Sequence, residues 1–187
     1  MKRAVILHGT DNDPGILWNP WLKQELEKSG YQVFSPVLPN NHTPNREVYE
    51  KFLRGSGWDF SDNLIIGHSS GATTILNLLS SDWFPKVKTV VLVGTFLSLD
   101  LLEDVDWYEP GQFDGLFLDG YNPKNIARKA DRFIFVHGSD DPYCDITLAR
   151  KLCEELSGEF ITIQNGHHLG GSSGVSELPQ LLDRLVG

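Results

Sequence analysis

The chain predicts an α/β fold, a parallel sheet held between two layers of helices in a three-layer α/β/α sandwich. Three observations carry this. Short runs rich in Val, Ile and Phe alternate with amphipathic stretches through almost all of the 187 residues. The runs are apolar at successive rather than alternate positions, as strands covered on both faces must be. Strand, helix, strand repeated in this way calls for right-handed crossovers and helices on both faces of one sheet.

Taken in order, the strands are expected at Ala4–Leu7, Gln32–Ser35, Asn63–Ile66, Thr89–Val93, Arg132–Val136 and Phe160–Ile163. A first helix opens at Asn19-Pro20, sets Trp21, Leu22 and Leu26 on one side, and stops before Gly30, in keeping with cap and stop preferences. Further helices are expected over 45–54, 70–80, 123–129, 146–156 and 176–186. There is no internal repeat, low-complexity tract or linker, so residues 1–187 read as one domain. A short cap-like insertion at about 96–122 breaks the pattern.

Composition narrows the function classes. A length of 187 residues suits one domain with a proper core. A formal charge of −9 would repel phosphates, which argues against a nucleic-acid surface. No apolar run approaches the roughly 20 residues that span a bilayer, so no membrane partner is expected. The run after Met1-Lys2-Arg3 is too short for a signal peptide. Cys144 and Cys153 show neither metal spacing nor a disulfide framework, which suits a reducing cytoplasm and calls for no cofactor.

The most informative stretch is Gly67-His68-Ser69-Ser70-Gly71, directly after Leu64-Ile65-Ile66. It reads as strand end, sharp turn and helix start, the context that makes G-x-S-x-G a nucleophile elbow. In parallel sheets ligands sit beyond the carboxyl ends of the strands. His8-Gly9-Thr10, Ser69, Asp140-Asp141 and His167 each follow an expected strand, so all would share one edge.

A serine hydroxyl becomes a useful nucleophile when a base takes its proton, and that base must be oriented by a third group. His167, after Gly166, is read as the base, and Asp141, just before Pro142, as the orienting carboxylate in preference to Asp140. The chain order Ser, Asp, His is that of an α/β-hydrolase. The N–H groups of Ser70 and of Thr10 would receive the oxyanion, the latter if the first and third strands are neighbours. Gly9, Trp18, His68 and Phe96 are placed around the substrate. His68 is otherwise read as a packing or hydrogen-bonding residue, and Trp18 otherwise as an anchor of the first helix. His8 and His137 would brace strand ends, His42 would be solvated, and Cys144 would be a structural thiol.

These residues resemble a known family. His8-Gly9, Trp18 with Trp21-Leu22-Lys23, Leu38-Pro39, Ile66-Gly67-His68-Ser69-Ser70-Gly71-Ala72, Val90-Val91-Leu92-Val93, Asp140-Asp141-Pro142 and Gly166-His167 look like segments of the small serine hydrolases related to the retinoblastoma-binding serine hydrolase. The similarity runs over essentially the whole chain. It implies six parallel strands in the order 2-1-3-4-5-6 and a triad of Ser69, Asp141 and His167. One departure stands out: where members often carry an aromatic or small residue after the histidine, this chain has His168.

The expected function is hydrolysis of a small-molecule ester, thioester or amide through an acyl-enzyme. An alternative is a module that docks a protein partner on a hydrolase scaffold. A metal-dependent hydrolase using His8, His167 and His168 with Asp11, Asp13 or Asp140 lacks a compact motif such as H-E-x-x-H, so no metal is expected. The 96–122 insertion carries Asp100, Glu103, Asp104, Asp106, Glu109, Asp114 and Asp119 with no Lys or Arg. Its acidity is expected to disfavour anionic acyl substrates.

Overall fold

Alternate residues along each strand supply opposite faces of one sheet, and both faces are apolar. In a computed structural model, which describes residues 2–186, the elements run β1 Lys2–Leu7, α1 Asn19–Lys28, β2 Tyr31–Phe34, α2 Arg46–Gly55, β3 Leu64–His68, α3 Ser70–Ser80 and β4 Val87–Val93. They continue with α4 Pro123–Ala127, β5 Ala130–Gly138, α5 Ile146–Glu155, β6 Glu159–Ile163, a 3₁₀ turn Gly171–Ser173 and α6 Pro179–Val186. All six strands form one sheet in the order β2-β1-β3-β4-β5-β6, and every pairing is parallel.

The two helical layers follow from strand periodicity. Val5, Leu7, Ile65, Val90, Leu92, Phe133 and Phe135 point to the side packed by α2, α3 and α5, through Tyr49, Leu53, Ile75, Leu76, Ala149 and Leu152. Ala4, Ile6, Ile66, Val91, Val93, Ile134 and Val136 point to the other, packed by Leu22 and Leu26 of α1 and Leu181 of α6. β3 is buried at every position and α3 at all but its last, so the strand and helix that flank Ser69 form the middle of the molecule.

Helix ends differ from expectation where local chemistry intervenes. Asn45 lies outside α2 as its cap, its side chain accepting from the N–H groups of Glu47 and Val48. α6 begins at Pro179, three residues later than expected. The pyrrolidine ring disfavours helical geometry in the residue before it and suits the first helical turn.

The 96–122 segment holds no regular helix or strand; it is a chain of turns. It closes on its own apolar cluster of Phe96, Leu102, Phe113 and Leu116, with Cys144 beneath. All seven of its carboxylates are exposed. The acidity faces solvent, Phe96 and Phe113 are buried, and Trp107 is 43% exposed.

Candidate active site

The turn between β3 and α3 bends at one residue. Ser69 has φ 54° and ψ −122°, a conformation that costs a side-chain-bearing residue on the order of 1–3 kcal/mol and persists only where the surroundings enforce it. The enforcement is close packing. A Cβ on Gly67 would lie 2.5 Å from the Gly71 carbonyl oxygen, and one on Gly71 would strike the carbonyl oxygens of Leu7 and His8. Only hydrogen at both positions lets α3 approach β3 and β1 this closely. The Ser69 N–H donates to the Val93 carbonyl at 2.9 Å, tying the elbow to β4.

Asp141 follows β5 and is held rigidly. Its Oδ1 accepts from the N–H groups of Tyr143 and Cys144, each at 3.0 Å, and its carboxylate is fully buried. Burial alone would raise its pKa. The hydrogen bond and positive charge available from His168, with the two backbone donors, outweigh that and hold it below the usual carboxylate range.

His168, not His167, faces this carboxylate. His168 Nδ1 lies 2.9 Å from Asp141 Oδ2 and 3.1 Å from Oδ1, and its side chain is 14% exposed. His167 faces the other way. Its N–H donates to Asp140 Oδ1 at 2.9 Å, its Nδ1 lies 2.9 Å from Asp140 Oδ2, and its side chain is 49% exposed. The reading of His167 as partner of Asp141 is therefore corrected to His168.

The reason lies in the loop after β6. Asn165, His167 and Leu169 all have φ between 46° and 52°, so the backbone reverses repeatedly and successive side chains leave on opposite sides. Two buried side chains lock that path. Trp18 Nε1–H donates to the Leu169 carbonyl at 3.0 Å, and His68 Nε2–H donates to the His168 carbonyl at 2.8 Å.

Those bonds correct two further expectations. Trp18 is wholly buried in the core and His68 nearly so, and neither lines the cavity beside Ser69. Both support the loop that carries His168. Burial, with the neighbouring His168, pushes the His68 pKa down to about 3, and burial brings His137 down to about 4, so both rings are neutral at pH 7. Each of the other buried imidazoles braces a strand end. His137 Nε2 accepts from the Thr95 N–H at 2.8 Å, and His8 Nε2 accepts from the Leu38 N–H at 2.9 Å. His42 is not simply solvated; it pairs with Asp11 at 2.9 Å.

Thr10 and Ser70 come together as their strands require, since β1 and β3 are paired. Thr10 Oγ1 donates to Ser70 Oγ at 2.8 Å, which joins the loop after β1 to the start of α3. The Ser70 N–H belongs to the first residue of the helix and has no intrahelical acceptor. Gly9 packs against the elbow; a Cβ there would sit 3.1 Å from Ser69 Cβ.

Ser69, Thr10 and His168 open into one cavity of about 330 Å³. Phe96, as expected, lines it, together with Leu102, Trp107 and Phe113 of the turn-rich segment. Tyr143 and Asp11 complete the wall; the sequence points to Asp11 only within the metal alternative and does not single out Tyr143. A larger hollow of about 410 Å³ lies at the opposite edge, near the amino ends of the strands. Its rim is charged, and Arg3, Asp131 and Arg132 there are paired with Asp59, Lys86 and Glu159.

Among the described residues, the side chains of the metal alternative do not converge: His8 bonds to backbone, His167 to Asp140 and His168 to Asp141. Asp141, Cys144 and His168 do bring donor atoms within 4.8 Å of one another. Cys144 Sγ, however, donates to the Gly94 carbonyl at 3.3 Å, and burial followed by the Asp141 charge pushes the thiol pKa well up, as suits a structural thiol.

Comparison with known proteins extends this picture. A family model described as serine hydrolase matches residues 4–186. The chain is 26% identical to YdeN of Bacillus subtilis (strain 168) over 188 residues, covering 99% of this chain and 95% of that one. It is 21% identical to the serine hydrolase RBBP9 of Rattus norvegicus, over 89% of this chain and 86% of that one. Among solved structures, the B. subtilis ydeN gene product superposes with a TM-score of 0.86 at 23% identity, covering 99% of this chain and 97% of that one. The meta-cleavage product hydrolase CumD of Pseudomonas fluorescens IP01 superposes with a TM-score of 0.68 at 14% identity, covering 100% of this chain and 89% of that one.

Proposed function

Since the chain belongs to the serine hydrolase family and is a hydrolase, we propose that it cleaves a small ester, thioester or amide through an acyl-enzyme on Ser69. The observation that carries this reading is the shared cavity: Ser69, strained at a strand–helix turn, opens into the same space as His168, whose other ring nitrogen is bonded to buried Asp141.

With Nδ1–H donated to Asp141, His168 carries its lone pair on Nε2. Nε2 takes the Ser69 Oγ proton as Oγ attacks the substrate carbonyl carbon. The imidazolium is stabilised by the Asp141 carboxylate and hands its proton to the leaving alcohol, thiol or amine. Water then adds to the acyl-enzyme with His168 as base, which releases the acid and restores Ser69. In each half-reaction, the negative charge developing on the carbonyl oxygen is received by the N–H groups of Thr10 and Ser70.

Covalent labelling by a fluorophosphonate, with loss of both labelling and esterase turnover in Ser69→Ala, is the expected result. A Ser69→Ala protein that still takes up one label per chain would show that another side chain is the nucleophile.

A further inference from the structure

The cavity has an unusual wall for an acidic protein. None of the seven carboxylates of the 96–122 segment lines it. The one that does is Asp11, in the loop after β1. The same wall carries four aromatic rings, Phe96, Trp107, Phe113 and Tyr143, packed edge to face in pairs: Phe96 with Phe113 at 4.9 Å and Trp107 with Tyr143 at 5.3 Å between centroids. No Lys or Arg is among the lining residues.

Aromatic faces attract a cation through their quadrupoles, and Phe96 and Phe113 are buried while Trp107 is 43% exposed. A carboxylate in the same wall adds a directional charge. Asp11 is partly matched by His42 Nδ1 at 2.9 Å, and His42 Nε2 in turn lies 3.6 Å from Glu109 Oε2. Two carboxylates share one imidazole, so this group of three is net negative even when His42 is protonated. Asp11 also has φ 52°, a left-handed conformation that Asn tolerates well, so Asp11→Asn removes the charge without straining the backbone at that residue.

We infer that the cavity selects acyl substrates bearing an ammonium group, held between Asp11 and the four rings while the carbonyl sits at Ser69. This rests on the acyl-transfer reading above and adds to it a substrate charge class. It also places the carboxylate that meets the substrate in the β1–α1 loop, with Glu109 of the 96–122 segment behind it across His42.

The test uses isosteric pairs: acetylcholine against 3,3-dimethylbutyl acetate, and the same trimethylammonium and tert-butyl pair placed on the acyl side of 4-nitrophenyl esters. In at least one pair, kcat/KM for the charged ester should exceed that of its neutral isostere by about tenfold, and the preference should shrink as salt rises. In Asp11→Asn the preference should fall towards parity, mainly through KM. Equal kcat/KM in both pairs, or a preference that Asp11→Asn leaves intact, would overturn the inference. Choline binding by calorimetry gives a readout independent of turnover. It should be detectable and weakened in Asp11→Asn, and an absence of binding, or identical binding by the variant, would also overturn it. Failure of the serine hydrolase reading looks different: no ester is cleaved and no fluorophosphonate is taken up.

Discussion

Asp141 Oδ2 and His168 Nδ1 stand 2.9 Å apart in the interior, and their immediate neighbours in sequence, Asp140 and His167, repeat the pair at the same distance on the surface. The two pairs are chemically alike and differ in burial and in what lies beside them. Of the four residues, only His168 borders the cavity that holds Ser69.

The first prediction separates the two histidines. His168→Ala should lower kcat by on the order of 10⁵-fold, because the nucleophile loses its base. His167→Ala should leave kcat/KM close to that of the parent. Steady-state kinetics on a neutral activated ester decides it, and the reverse pattern would restore His167 as the base.

The carboxylates should divide in the same way. Asp141→Asn leaves the geometry nearly isosteric yet removes the charge that stabilises the imidazolium, and kcat should fall on the order of 10⁴-fold. Asp140→Asn touches an exposed pair, and its cost in stability should not exceed about 1 kcal/mol. Parallel kinetics and urea melts on the two variants measure both effects.

Gly71→Ala should be among the most damaging single-methyl additions in the chain. The new Cβ would collide with main-chain oxygens of Leu7 and His8, which belong to or adjoin a central strand and cannot rotate away. A loss of about 3 kcal/mol or more is expected, read as a lowered urea midpoint. Gly55→Ala, at a helix end where nothing lies within 4 Å of the new methyl, is the control and should be tolerated.

Stability should fall in mild acid. His68 and His137 titrate at about 3 and about 4 in the fold, below the ordinary value of 6.5, so between these limits the unfolded chain binds more protons than the native one. Their contribution is complete above pH 6.5 and is lost progressively as pH falls from there. Each should cost about 2 kcal/mol between pH 7 and pH 5. His137→Gln, whose amide oxygen can accept from the Thr95 N–H, should flatten the dependence of the urea midpoint on pH. An unchanged slope would show that His137 does not contribute.

Much of the site is legible in the primary structure because parallel-sheet topology constrains it. Ser69 and Asp141 each follow a run that is apolar at successive positions, and so fall at the carboxyl edge whatever the details of packing. Thr10 and Ser70 meet there because β1 pairs with β3. Tyr143 gave no such signal, and Asp11 suggested only a metal ligand. They reach the cavity through loops whose paths depend on the segments they pack against, Tyr143 on Trp107 and Asp11 on His42.

What the amino-acid order determined alone is the sheet, its two buried faces and the rim on which Ser, Asp and His are displayed, since all three follow from periodicity and chain connection. What the tertiary structure decided is which of two adjacent histidines turns inward. That choice depends on three left-handed residues around it and on donors from Trp18 and His68, which lie 151 and 100 residues from the carbonyls they hold. Local propensity cannot encode it, because the two imidazoles have the same chemistry and differ only in which side of a backbone reversal they occupy.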